Sequence, residues 1–113
     1  MANYLFLFRG GGEAMGRMSP AEMQQNMQKW RAWIDGLAQK GHARGGEPLE
    51  QGGKVVSGRK KTVTDGPYAE AKDLVGGYLL VSAESLEQAV ELSKGCPIFE
   101  HDGTVEVRTV RAM

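Results

Sequence analysis

Residues 74–81, Leu74-Val75-Gly76-Gly77-Tyr78-Leu79-Leu80-Val81, read as a strand that is apolar on both faces. Side chains alternate across a strand, so Tyr78 and Leu80 point one way and Leu79 and Val81 the other. A strand apolar on both sides belongs in the middle of a covered sheet. A second segment has the same property: in Asn3–Arg9, Tyr4, Phe6 and Phe8 oppose Leu5 and Leu7. By contrast, Thr104–Val110 sets Val105, Val107 and Thr109 against Glu106 and Arg108, the pattern of an edge strand exposed on one face.

Two helices fall between these strands. Ser19-Pro20-Ala21-Glu22 combines an N-cap serine, a proline at the first helical position and the glutamate of a capping box. Met23, Met27, Trp30, Ile34 and Leu37 then recur at three- and four-residue steps, which predicts one buried stripe ending before Gly41. Trp33 lies beside that stripe. Gly36 interrupts the helix and is expected to mark close packing. The second helix spans Ser85 to Lys94, with Ser85 and Gln88 as a capping box and Leu86, Ala89 and Val90 facing inward.

The remaining segments are turn-rich. Gly10, Gly11, Gly12 and Gly16 follow the first strand but match neither the dinucleotide nor the phosphate-loop spacing, so they read as a plain loop. His42 to Gly53 also reads as a loop, with a short strand beginning at Leu49. Lys54–Ser57 and Lys61–Thr64 flank Gly58-Arg59-Lys60, a hairpin with a basic tip whose lysines suit an exposed edge. The order strand, helix, strand hairpin, strand, helix, strand is the split βαβ pattern of an α+β, ferredoxin-like βαββαβ fold with an extra β-hairpin. There the first and third core strands are central, as the doubly apolar segments require. Right-handed crossovers put both helices on one face, leaving apolar side chains uncovered on the other. A homodimer joined through that open sheet face is the expected remedy.

Composition narrows the function. The chain has 113 residues, enough for a single domain, 1–113, that buries roughly two thirds of its unfolded surface. Cys96 is the sole cysteine, so no intrachain disulfide and no thiolate zinc site can form; it reads as an apolar filler just past the second helix. The 14 basic and 14 acidic residues cancel, which argues against a nucleic-acid partner. Tyr4–Phe8 is too short for a signal-peptide core, and nothing approaches transmembrane length, so the expectation is a cytoplasmic protein without a membrane partner. His42 and His101 are isolated and no metal or cofactor motif is present, so none is expected. The His101-Asp102 pair precedes Gly103 in a turn, where neighbouring side chains point apart.

The chemically richest stretch is Val63–Tyr78, where Asp65-Gly66-Pro67 stacks turn formers ahead of Glu70, Lys72 and Asp73. Asp65 and Glu70 are the candidate catalytic, proton-transferring groups, and Lys72, Tyr68, Trp30 and Trp33 the candidate ligand-binding ones. A solvated Glu70–Lys72 pair and a turn-capping Asp65 are the structural alternative.

D-G-P-Y-A-E-A-K at Asp65–Lys72 resembles the D-G-P-F-A-E-T-K signature of one branch of the YCII-related superfamily, with Tyr68 and Ala71 as departures. The likeness extends to the Y-L-F-L-F strand at Tyr4–Phe8, the W-x-x-W helix at Trp30 and Trp33, G-G-E-P-L at Gly45–Leu49, S-L-E-Q-A at Ser85–Ala89 and V-E-V-R-x-V at Val105–Val110. It implies a ferredoxin-like fold of the dimeric α/β-barrel type. Enzymes elsewhere in the superfamily resemble small lyases or isomerases with a His–Asp pair. By helix register that histidine falls near Trp30 here, leaving Asp65 as the counterpart of the pair. Members of the branch are often encoded beside extracytoplasmic-function sigma factors, which implies a regulatory or ligand-sensing role. Two functions follow: a dimeric protein that binds a small anionic or polar molecule near the D-G-P-Y-A-E-A-K loop, or a small acid/base enzyme using Asp65 and Glu70.

Overall fold

The computed structural model describes residues 1–66 and 73–113, Glu13 by its backbone alone. Its elements are β1 (Ala2–Arg9), α1 (Gly12–Gly16), α2 (Pro20–Gln39), β2 (Ala43–Pro48), β3 (Gly53–Ser57), β4 (Thr62–Gly66), β5 (Val75–Ala83), α3 (Leu86–Ser93), a 3-10 turn (Pro97–His101) and β6 (Thr104–Thr109). Strands β2, β5, β1 and β6 lie side by side in that order, and every neighbouring pair is antiparallel. The sheet is open and closes no barrel. The doubly apolar strands are the two central ones, as their composition requires, while β3 and β4 form a separate ribbon.

Register decides which side chains meet. Tyr4, Phe6 and Phe8 of β1 stand opposite Val81, Leu79 and Gly77 of β5, and opposite Thr109, Val107 and Val105 of β6. This is the helix-covered face: Phe6 and Val81 are fully buried there, with Leu37, Ala89, Cys96 and Ile98 packed over them. Leu5, Leu7, Tyr78 and Leu80 share the opposite face. None of the three helices fills that face; Tyr78 is 38% exposed, and Leu5, Leu7 and Leu80 are half-buried.

Capping fixes where α2 starts. The Ser19 hydroxyl accepts from Glu22 N at 3.1 Å and the Glu22 carboxylate accepts from Ser19 N at 3.2 Å, the reciprocal box expected from the sequence. At α3 only half of the expected box forms. Ser85 Oγ accepts from Gln88 N at 3.1 Å, but Gln88 Oε1 takes the N–H of Glu84 instead of that of Ser85.

Four local expectations are corrected. The glycine-rich stretch after β1 contains the short helix α1, entered through Gly11 in the left-handed region. The stretch after His42 is the edge strand β2, whose hydrogen bonds to β5 override the turn preference of Gly45, Gly46 and Pro48. On α2, Trp30, Ile34 and Leu37 pack inward as expected and are joined by Asn26 and Trp33, whereas Met23 and Met27 stay 42% and 62% exposed, because the helix is rolled so that both indoles reach the sheet. On α3, Ala89, Leu92 and Ser93 face inward while Leu86 and Val90 remain largely exposed.

Candidate functional site

Two glycines open a space between α2 and the sheet. Gly46 and Gly77 occupy helix-face positions, opposite Leu79 and Phe8 respectively, and neither contributes a side chain. A cavity of about 720 Å³ lies over this floor. Gly45 and Gly76 extend the floor, Trp30, Met27 and Ile34 of α2 form one wall, and Phe8, Leu79 and Ile98 close the deeper end. Such a volume is in the range of small-molecule sites, which are mostly apolar with a few placed polar groups.

Packing holds the Trp30 wall in place. Its ring meets Phe8 edge-on at 5.0 Å between centroids and Trp33 at 5.8 Å, each near a right angle. These are the favoured geometries for aromatic quadrupoles. Trp33 lies deeper. It stacks on Phe6 at 6.2 Å, and its Nε1 donates to the Leu92 carbonyl at 3.1 Å, joining α2 to α3. Trp30 lines the cavity; Trp33 does not.

The polar groups inside are Asn26 and His101. Asn26 is only 6% exposed, on the inward row of α2 one turn before Trp30. His101 ends the 3-10 turn, where Asp102 in the left-handed region reverses the chain toward Gly103. His101 Nε2 and Asn26 Oδ1 are 3.2 Å apart. Outside the cavity, Lys29 donates to Glu100 at 2.8 Å, tying α2 to the same turn. That hydrogen bond holds the Glu100 carboxyl below the usual carboxylate range. Arg31, Asp35 and Glu47 place charges of both signs at the exposed rim.

Asp65 lies on β4, directly opposite Lys54 on β3, and the two form an ion pair on the exposed ribbon. Its side chain is 90% exposed and does not line the cavity. Tyr68, Glu70 and Lys72 lie outside the described residues. The sequence-predicted site residues are therefore not seen in one place: Trp30 is at the cavity, Trp33 behind it and Asp65 on the ribbon. Asn26 and His101 were missed. The available signal for Asn26 was its spacing, four residues before Trp30 and seven before Trp33, which puts an amide in line with two indoles.

Cys96 is buried, and desolvation pushes its thiol up to about 12 from 9.0. The folded chain keeps this proton while the unfolded chain releases it above about pH 9, so this group lowers stability as pH rises from about 9 to 12. Below that window a thiol-reactive disulfide reagent should modify Cys96 only as fast as the domain opens. Rapid modification at pH 8 without denaturant would show that the thiol is accessible.

Among the described residues, no group of three or more His, Cys, Asp or Glu side chains is placed to hold a metal ion, and no helix is long and apolar enough to cross a membrane.

A four-stranded antiparallel sheet with both long helices on one face, and a cavity between the first of them and the sheet, defines a ferredoxin-like α+β domain. The chain belongs to the YCII-related domain family, whose model matches residues 3–113. Among solved structures it is similar to 5-chloro-2-hydroxyhydroquinone dehydrochlorinase (TftG) from Burkholderia phenoliruptrix AC1100, in complex with 2,5-dihydroxybenzoquinone. The TM-score is 0.55 and the identity 16%, over 100% of this chain and 96% of that one. At that identity the likeness is one of fold. A search of curated proteins found no match.

Proposed function

We propose that this YCII-related domain binds a small polar molecule built on a ring, in the cavity between α2 and the sheet, and that it does so as a homodimer. The observation that carries the reading is the cavity of about 720 Å³ with a glycine floor, the Trp30 wall and the Asn26–His101 pair inside an otherwise apolar lining. The structural neighbour, which holds dihydroxybenzoquinone, supports a ring of this kind. The sigma-factor association implied by the D-G-P-Y-A-E-A-K resemblance gives such a protein a sensing role. Equilibrium dialysis against hydroxylated one- and two-ring aromatics tests it: one site per chain is expected. Ala43, half-buried at the cavity and on the helix face opposite Val81, provides the control. Ala43→Phe places a ring over the glycine floor and should lower affinity about tenfold or more. Equal binding by both proteins would move the ligand elsewhere.

The dimer follows from the uncovered face. Leu5, Leu7, Tyr78 and Leu80 form its apolar centre, beside Arg9, which donates to Glu106 at 3.0 Å, and Arg108, 3.6 Å from the same carboxylate. A second copy supplies the same apolar patch and the same charges, so a twofold contact buries the centre while the rim stays polar. Light scattering at micromolar concentration should give about twice the 12.3 kDa chain mass. A monomer would remove the dimer from the proposal.

A second reading, an acid/base enzyme of lyase or isomerase type, is favoured by the dehydrochlorinase neighbour. In it Asp65 and Glu70 transfer protons, Lys72 orients an anion, and Tyr68, Trp30 and Trp33 border the ligand. Asp65→Asn and Glu70→Gln keep size while removing charge. This reading requires binding or turnover to be lost with little change in melting. Several degrees lost in both variants, with ligand binding intact, would leave these groups as folding elements.

A further inference from the structure

The ribbon of β3 and β4 pairs strand to strand only within itself and forms no part of the main sheet. A lone two-stranded hairpin is marginally stable in water and gains order by packing on another surface. Val56 stands opposite Val63 on the face that carries the Lys54–Asp65 ion pair, and the two valines are 62% and 60% exposed. Beyond them the turn carries Arg59, Lys60 and Lys61, none of which has a partner among the described residues. The ribbon therefore presents an uncovered apolar pair next to a cluster of free cations.

The outer side of α3 has the same pattern with the opposite charge. Leu86 and Val90, one turn apart, are largely exposed, and Glu87 and Glu91 follow each by one residue, so an acidic row runs beside an apolar one. Glu91 is joined by Lys94 at 2.8 Å, but Glu84 and Glu87 pair with no cation among the described residues. Charge divides in the same way over the whole molecule. Residues 53–66 hold four cations, Lys54, Arg59, Lys60 and Lys61, against the one carboxylate of Asp65, a charge of +3. The chain is neutral, so everything outside the ribbon carries −3. The ribbon's own α3 does not cover it, since its valines remain exposed. A second copy supplies both the apolar strip and the carboxylates that the ribbon lacks, whereas the net negative charge of the rest of the chain disfavours nucleic acid as the occupant.

We propose that the β3–β4 ribbon is an arm that docks on α3 of a second copy, Val56 and Val63 against Leu86 and Val90, with Arg59 and Lys60 over Glu84 and Glu87. The contact is reciprocal, so two copies exchange arms and the assembly closes as a pair. It is a surface separate from the open sheet face. Charge exchange tests it by sedimentation velocity over a range of concentrations. One variant carries Arg59→Glu with Lys60→Glu, the other Glu84→Lys with Glu87→Lys; all four side chains are exposed, so both proteins should melt close to the wild type. Each variant alone sets like charges against each other in both contacts and should raise the dissociation constant of the pair about tenfold or more. An equimolar mixture restores opposite charges in both contacts and should recover self-association to within about threefold of the wild type. In a Cys96→Ala background, Val56→Cys mixed with Val90→Cys should form the mixed disulfide faster than either protein cross-links to itself. Unchanged self-association in both variants overturns the arm contact and leaves the sheet-face dimer standing, and so does weakening that the mixture fails to rescue. Reversals that leave self-association unchanged but abolish retention on a sulfated polyanion would assign the ribbon to a different partner and overturn the proposal. A wild-type monomer overturns both contacts.

Discussion

Gly46→Ala should destabilise the domain by about 3 kcal/mol, although it adds a single methyl group. A Cβ built on Gly46 falls on the Tyr78 carbonyl oxygen and 2.8 Å from Leu79 Cα, both backbone atoms of the central strand β5. Neither can rotate away as a flexible side chain would, so β2 must pull back from β5 along the edge of the sheet. The loss appears as a fall in melting temperature of roughly 4 °C or more for each kcal/mol. Gly36→Ala is the control of opposite sign. Gly36 lies within α2 and a Cβ there meets nothing within 4 Å, so the change should stabilise the helix by about 0.5 to 1 kcal/mol. That open space also corrects the expectation that Gly36 marks close packing. Equal melting of Gly46→Ala and wild type would show that β2 does not approach β5 as closely as described.

Trp33→Ala should destabilise the domain by about 3 to 5 kcal/mol. The indole stacks on the fully buried Phe6, meets Phe8 at 5.9 Å and donates to the Leu92 carbonyl. The α3 end packs directly on it, since a Cβ at Gly95 would lie 3.1 Å from Trp33 Cδ1. Truncation therefore leaves a hole where α2, α3 and the sheet meet, and strips the Leu92 carbonyl of its donor. Denaturant melts measure the loss. A change under about 1 kcal/mol, joined to lost ligand binding, would return Trp33 to the ligand-binding role read from the sequence.

Much of the fold was legible because its cause is local or periodic. Tyr4–Phe8 and Tyr78–Val81 are apolar on both faces, and a strand with that pattern has to be central. Ser19-Pro20-Ala21-Glu22 states a helix start in the residues that satisfy its orphan N–H groups. The edge strand Ala43–Pro48 was hidden for the opposite reason. With Gly45, Gly46 and Pro48 in six residues it carries no alternation, and only its hydrogen bonds to β5 define it. The cavity was hidden with it, because its floor is made of missing side chains. Met23 and Met27 were expected to be buried and are not, Met27 standing at the cavity wall, since hydrophobicity counted for them while the inward polar position at Asn26 counted against itself. His101 reaches the cavity through a 3-10 turn and a left-handed Asp102, a combination that depends on tertiary packing against Ile98 and Gly11.

The central claim is that a ring-bearing small molecule lies against Trp30 in front of the glycine floor. The two indole N–H resonances, assigned through Trp30→Phe, provide the most direct measurement, followed by 1H–15N NMR as 2-naphthol is added. Trp30 lines the cavity, whereas Trp33 Nε1 is engaged with the Leu92 carbonyl behind it. The ring current of a bound ligand should move the Trp30 signal progressively and saturably, with Trp33 nearly still. Saturable binding that leaves Trp30 unmoved, or no binding at all, would contradict the account.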